Sequence, residues 1–291
     1  MVICFEPDQS CLARLVTVLR KQSAAVLLVD NSESAGSRQT LVQLQQPESA
    51  VYLLSGNGNR GVAWAMNQAF YWAEAHSLDA VACFDQDSLP PANLIPELQQ
   101  VLANAENPLN VAGVGPVLID RRSGRTLDSF EPIGRGRKKF RPEFGNVYEV
   151  EHLINSGRLC SVAAFKRVGS FDEGLFVDTI DLEWSLRAAS KGLKLLQFSS
   201  EPMLHSIGET QKTSLGKTFF MHKPFRGYYM IRNAILLLTR SDLPLAWRTN
   251  YLLGILRLTG ITIVLGNERL ARLRFFLLGV WHGVSRQAGR L

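Results

Sequence analysis

The sequence predicts an α/β protein: a mostly parallel central sheet flanked by helices, followed by a helical C-terminal extension. Three observations carry this. Short apolar runs alternate with amphipathic segments through the first 120 residues, the order of successive β-α-β units. Polar and acidic residues fall at the ends of several runs, where open parallel sheets bind ligands. After His205 the pattern changes to long segments that mix Leu, Ile and Phe with arginine.

The elements follow in order. Residues 2–5 form a first apolar run, and Leu12, Leu15, Val16 and Leu19 recur at helical spacing. A second run, 25–29, ends at Asp30-Asn31-Ser32, and a third covers 51–54. Residues 62–76 read as a helix. The run 80–84 ends in Asp85-Gln86-Asp87, and Leu94, Leu98 and Val101 again have helical spacing. Residues 111–118 are a further strand candidate. Residues 119–150 break the pattern; the basic run from Arg135 to Arg141 reads as a mobile loop or a distorted hairpin. Strand character returns at 159–165. Asp178 or Thr179 is placed to cap a helix through about Lys191, with Leu182, Leu186 and Ala189 on one face and Gly192 as its stop. A last strand covers 193–198, and helical patterns occupy about 222–240, 244–265 and 267–287.

The 291 residues suffice for one large α/β domain or a domain with an appendage. Residues 201–291 hold thirteen Lys and Arg against four Asp and Glu, a net +9 within a whole-chain charge of +6, so residues 1–200 carry −3. A basic, apolar C-terminal region suits a membrane surface or a lipid phosphate, a dimer surface, or packing on the rest of the chain. Nucleic acid is the disfavoured partner. Cys4, Cys11, Cys83 and Cys160 form no Cys-x-x-Cys pair and read as reduced thiols, mostly buried. No basic segment followed by a long apolar run opens the chain, and no apolar stretch reaches membrane-spanning length. The expected location is the cytoplasm, on the inner face of the cell membrane.

Several residues are candidates for chemistry. Asp85 and Asp87 flank Gln86; in extended chain they point to one side, and two carboxylates there call for a cation. A divalent ion such as Mg²⁺ or Mn²⁺, shared with a diphosphate, meets that need; a solvated loop capped by Asp87 or Ser88 is the plain alternative. Asp30 suits a nucleobase or ribose contact, or an Asx turn. In Ser55-Gly56-Asn57-Gly58-Asn59-Arg60-Gly61, small residues allow close approach and Arg60 suits a phosphate, but the spacing is neither a dinucleotide nor a P-loop fingerprint. Asp178, Asp181 and Glu183 either complement a helix dipole or supply one general base. His205 is a metal ligand or a structural histidine.

Taken together these residues carry a resemblance. Val29-Asp30-Asn31-Ser32, then Asn57 through Asn67, then Phe84-Asp85-Gln86-Asp87-Ser88 resemble the nucleotide-binding half of family 2 glycosyltransferases. Asn155-Ser156-Gly157, Gly169-Ser170-Phe171-Asp172-Glu173 and the stretch from Phe176 to Arg187 resemble its acceptor half. Phe-Asp-Gln-Asp-Ser, with His205-Ser206-Ile207-Gly208 and Tyr228-Tyr229-Met230-Ile231-Arg232-Asn233, is similar to the bacterial rhamnosyltransferase branch. The resemblance implies a GT-A fold over residues 1–210, with a nucleotide-binding half at 1–118 and an acceptor half at 119–210, and inversion at the transferred sugar. It implies a nucleotide-sugar donor, dTDP-L-rhamnose in this branch, and a glycan or lipid-linked glycan acceptor. It gives Asp30 the base, Asp85 the ribose or metal region, Asp87 the metal, and Asp181 the role of general base; His205 is placed to join Asp87 at the metal. Asn59, Arg60 and Gln86 line the donor in this reading, and Arg226, Tyr229 or Arg232 closes over the diphosphate. Two departures stand out: Ile180 replaces the acid usually next to the base, and Glu6 replaces a neutral amide after the first strand. A nucleotidylyltransferase would need a glycine-rich basic loop where Glu6-Pro7-Asp8-Gln9 stands. A nucleotide-sugar-binding protein without chemistry remains the non-enzymatic rival.

Overall fold

The computed structural model describes residues 1–132, 138–205, 210–214 and 217–291. The chain forms two units: Met1–Asp172 with Asp181–His205, and Glu173–Ile180 with Ser206–Leu291. Arg135, Gly136 and Arg137 of the basic run, and Ser206, Ile207 and Gly208 of the stretch after His205, lie outside the described residues.

The first unit opens with β1 (Val2–Cys4), α1 (Gln9–Arg20), β2 (Val26–Asp30), α2 (Ala35–Leu44), β3 (Val51–Ser55), α3 (Val62–Ala75), β4 (Ala80–Asp85) and α4 (Leu94–Ala103). It continues with β5 (Val111–Gly115), β6 (Leu118–Asp120), β7 (Ser129–Phe130), β8 (Lys139–Phe140), β9 (Tyr148–Glu149), β10 (Arg158–Ser161), α5 (Val162–Val168), α6 (Ile180–Ser190), β11 (Lys194–Gln197) and β12 (Met203–His205). Among the described residues the main sheet has eight strands in the order β3-β2-β1-β4-β10-β5-β11-β9. β1 lies parallel between β2 and β4, β2 parallel to β3, and β5 parallel to β11; β10 and β9 run antiparallel. The order reverses at β1, which places a crevice at the carboxyl ends of β1, β2 and β4.

Local chemistry explains the elements. Asp8 accepts the Cys11 N–H and starts α1, which buries Leu12, Leu15, Val16 and Leu19. Those side chains join Val2, Leu28, Phe84, Leu98, Val114 and Leu159 in one core. Capping serines start two helices, one that periodicity leaves out and one that it reads as strand. Ser34 starts α2, and Ser161 accepts the Ala164 N–H and starts α5. The expected strand at 159–165 therefore stops at Ser161, and Phe165 lies on a helix. The expected strand at 111–118 likewise divides into β5 and β6, because Pro116 carries no N–H for a ladder. Ala189 is exposed, and Ala188 takes its expected place in the core. His205 is the last residue of β12, not a residue beyond the strands. Of the region 119–150, β7 and β8 pair antiparallel, and Asp128 holds Lys139 at 2.5 Å and Arg141 at 3.1 Å.

The second unit holds an antiparallel hairpin, β13 (Thr210–Ser214) and β14 (Lys217–Met221), then α7 (Pro224–Leu238), α8 (Leu245–Leu265) and α9 (Arg269–Val284). Among the described residues no helix is long and apolar enough to cross a membrane. The segment 173–180 completes this unit. Phe176 stacks on Tyr229, and the Asn233 amide donates to the carbonyls of Leu175, Val177 and Asp178. Phe176, Asp178 and Thr179 have φ of 61°, 60° and 68°, a region costly for residues with side chains. The hydrogen bonds from Asn233 hold that conformation in place.

Candidate active site

The crevice is built from the register of four parallel strands. Ile3 pairs with Asp85, Cys4 with Asp30, and Asp30 with Ser55, so the chain leaves β1, β2, β3 and β4 at one edge. Asp30 is buried; its carboxylate accepts the Ser32 N–H at 2.7 Å and the Ser55 hydroxyl at 3.4 Å. The Asx turn is thus present, at the strand end where a base contact was expected. Asn31, given no role of its own by the sequence, joins two loops. Its side chain donates to the Gly61 carbonyl at 3.0 Å and accepts the Arg60 N–H at 3.3 Å. Asn59 accepts the Gly61 N–H at the start of α3, and the Arg60 guanidinium lies 4.7 Å from the Trp64 ring centroid. Gly56 is required by space: a Cβ there would stand 2.7 Å from the Trp64 ring.

Asp85 ends β4 half-buried, and Asp87 is exposed. Between them, Gln86 binds the main chain of Phe5 through both halves of its amide. Gln86, expected at the donor, thus also ties the turn after β4 to the end of β1. Ser88 is buried and shares a 2.6 Å hydrogen bond with Ser156, and the Gly157 N–H donates to the Cys83 carbonyl. These two bonds bind the turn after β4 to the segment that opens β10. Glu6 also has a structural partner set. Its carboxylate accepts from the N–H groups of Glu33 and Ser34 and from the hydroxyls of Ser34 and Ser37. Those bonds, the two hydroxyls foremost, hold its carboxyl down at about 2.

A second strand pair brings the remaining residues together. β6 and β12 are parallel, with Asp120 opposite His205. Burial holds the His205 imidazole below its ordinary pKa, opposed in turn by Asp87, Asp181 and Asp120. Three acids from separate parts of the chain thus act electrostatically on the one imidazole. Asp120 had no signal in the sequence, since its partner lies 85 residues away through a parallel pairing. Burial pushes its carboxyl up, but the Ser123 hydroxyl and the N–H groups of Arg122 and Ser123 outweigh that and leave it lowered.

Asp181 stands in the first turn of α6, half-buried, and accepts the Leu182 N–H at 2.9 Å. Glu183 is fully buried and bound by Arg187 at 2.9 and 3.0 Å. Ile180 is buried, so the missing acid leaves an apolar contact in its place. In the second unit Arg226, Tyr229 and Arg232, the residues expected at the diphosphate, each have partners within that unit. Arg226 forms a two-point pair with Asp178. The Tyr229 hydroxyl accepts the Leu291 N–H at 3.0 Å. Arg232 is fully buried and donates to the carbonyls of Gly174, Leu175 and Gly289. Burial and these partners fix Tyr229 and Arg232 within the second unit. A cavity of about 270 Å³ lies at the opposite ends of the strands, lined by Leu19, Ala25, Trp72 and Ala80, and includes none of the candidate residues.

The family model for glycosyl transferase family 2 matches residues 1–169. The chain belongs to that family. As a family 2 glycosyltransferase it has the GT-A fold, and its central sheet and C-terminal helices conform to that expectation. It is 27% identical over 291 residues to the dTDP-rhamnosyl transferase RfbF of Shigella flexneri, covering 99% of this chain and 96% of that protein. Solved structures share the fold. Residues 1–349 of S. aureus TarS in complex with UDP-GlcNAc superpose with a TM-score of 0.56 at 13% identity, over 98% of this chain and 80% of that one. GalNAc-T7 with UDP, GalNAc and Mn²⁺ gives 0.57 at 12% identity, over 90% of this chain and 56% of that one.

The donor set of this glycosyltransferase suits a divalent cation completed by its ligand. Among the described residues no three His, Cys, Asp or Glu side chains converge as a full cage. Asp87 and His205 offer one carboxylate and one imidazole, with Asp181 and Asp120 adding negative field. A hard cation held by few protein groups takes its other ligands from phosphate oxygens and water.

Proposed function

We propose that the enzyme transfers L-rhamnose from dTDP-L-rhamnose, with inversion, to a hydroxyl of a polysaccharide or lipid-linked glycan. The observation that carries this is the near full-length similarity to a dTDP-rhamnosyl transferase, joined to the placement of Asp87, Asp181 and His205 in one electrostatic neighbourhood.

In this reading Asp30 and the loop ordered by Asn31 receive the nucleoside, and Arg60 and Asp85 border its ribose and phosphates. Asp181 takes the proton of the acceptor hydroxyl as that oxygen attacks the anomeric carbon. The bond to the diphosphate breaks on the opposite face, and its electron pair leaves with dTDP. Asp87 and His205 would hold Mg²⁺ or Mn²⁺, which supplies positive charge to the diphosphate. Glu183 does not compete as base, because Arg187 occupies it. Residues 1–210 form the catalytic part and 211–291 a helical appendage in this proposal.

The test is thermal stabilisation across a panel of nucleotide sugars with Mn²⁺ present, followed by assignment of the product anomer by NMR. A shift confined to dTDP-L-rhamnose and an inverted product support the reading. A larger shift with a UDP-sugar would sink the donor assignment.

A further inference from the structure

Helix α9 shows solvent the face that a helix of a soluble protein normally hides. Leu270, Leu273, Leu277, Trp281 and Val284 recur at spacings of three and four, and they are 85, 42, 57, 67 and 69% exposed. They form one stripe along the helix. Exposed Arg269 and Arg274 lie on either side of it. The opposite face cannot exchange with this one. Gly279 and Gly283 are buried there, where added Cβ atoms would stand 2.4 Å from Ile231 and 2.8 Å from Ile235 of α7. The small residues fix the contact with α7 and turn the large ones outward. α8 adds Leu253 and Val264, each 62% exposed, with exposed Arg257 nearby in sequence.

We infer that α9 docks on an anionic lipid surface, lying in the interface with its stripe in the acyl boundary and Arg269 and Arg274 at the level of the phosphates. Charge selects this occupant. Residues 243–291 hold seven arginines and a single acid, Glu268. A symmetric pairing of two copies through the stripe would bring like charges together, with no acid on α8 or α9 to offset them. An anionic bilayer complements both the charge and the apolar stripe. Trp281 suits the headgroup boundary, where an apolar ring with one polar N–H is at home. Among the described residues no helix can span, so the helix lies along the surface. The inference does not depend on which sugar is transferred.

The experiment uses the full chain and sedimentation with phosphatidylcholine vesicles, with and without phosphatidylglycerol. Three proteins are compared: wild type, Leu277→Gln/Trp281→Gln, and Arg269→Gln/Arg274→Gln. All substituted side chains are exposed, and circular dichroism checks that each variant folds. Wild type should bind the phosphatidylglycerol vesicles and release in high salt. Each double variant should bind about ten-fold more weakly or worse. Absence of wild-type binding overturns the inference, as does equal binding by all three proteins. A lipid-free dimer that the Leu277/Trp281 variant converts to monomer in light scattering also overturns it, in favour of a second copy on the stripe.

Discussion

Gln86 holds Phe5 by both its N–H, at 2.7 Å, and its carbonyl, at 3.0 Å. The residue between the two candidate aspartates thus anchors the chain as it leaves the central strand. Gln86→Met keeps the length and removes both bonds. Because the pair is exposed, the stability loss should be about 1 kcal/mol. The larger effect should fall on the donor: its KM should rise several-fold while kcat changes less. Steady-state kinetics alongside urea unfolding separates the two, and an unaltered KM would restrict Gln86 to a purely structural task.

The two acids of α6 should fail in different ways. Asp181→Asn should lower kcat by about 10²- to 10⁴-fold, the usual reach of a general base, with donor affinity by calorimetry nearly unchanged. Glu183→Gln leaves Arg187 without its buried partner and should cost about 3 kcal/mol of stability. Near-normal turnover by Asp181→Asn would remove it from the proposed role.

Metal dependence should trace to Asp87 and His205. Wild-type protein treated with EDTA should lose most activity and regain it with Mn²⁺. Asp87→Ala and His205→Ala should each weaken Mn²⁺ binding in the presence of dTDP by about ten-fold or more, by analogy with the loss of a ligand-supporting group. Electron paramagnetic resonance of free Mn²⁺ reads this without an assay of transfer. Unchanged Mn²⁺ affinity in both variants would place the ion elsewhere.

Glu6 predicts an acid dependence. Its carboxyl is lowered from an ordinary 4.5 to about 2. A depressed folded value means that its contribution to stability is full above the unfolded value and declines as pH falls toward the folded one. The gap in stability between wild type and Glu6→Gln should therefore be constant near neutrality and shrink between about pH 4.5 and 2. Urea titrations at several pH values measure it. A gap that does not narrow on acidification would mean that the serine hydroxyls hold the neutral acid equally well.

Gly279 predicts a packing limit. An added Cβ would approach the Tyr228 carbonyl oxygen to 2.7 Å, a main-chain atom that cannot swing aside. Gly279→Val should destabilise by about 1–3 kcal/mol, seen as a lower urea midpoint. An equal midpoint would show that α7 and α9 can separate without penalty.

Much of this was legible in the chain. The alternation of runs placed β1 to β4, and the ends of those strands marked Asp30 and Asp85, because strand termini coincide with changes of polarity. Boundaries set by one capping group were not, since Ser161 sits inside an otherwise apolar run. Partnerships across parallel strands were also hidden. Nothing local to Asp120 points to His205, and nothing local to Gln86 points to Phe5. The main-chain groups that Arg232 and Gln86 satisfy are likewise brought within reach only by the folded chain.

The strap at 173–180 bears on how this protein can be cut and recombined. It leaves the first unit after Asp172, is held by Arg232 and Asn233 of α7, and returns at Asp181. A fragment ending at His205 would keep every strand of the main sheet yet lose the anchors for the left-handed residues just before Asp181. Chimeras that exchange acceptor preference between relatives should therefore move α7 together with this strap, as a single cassette, although residues 181–223 separate them in the gene product.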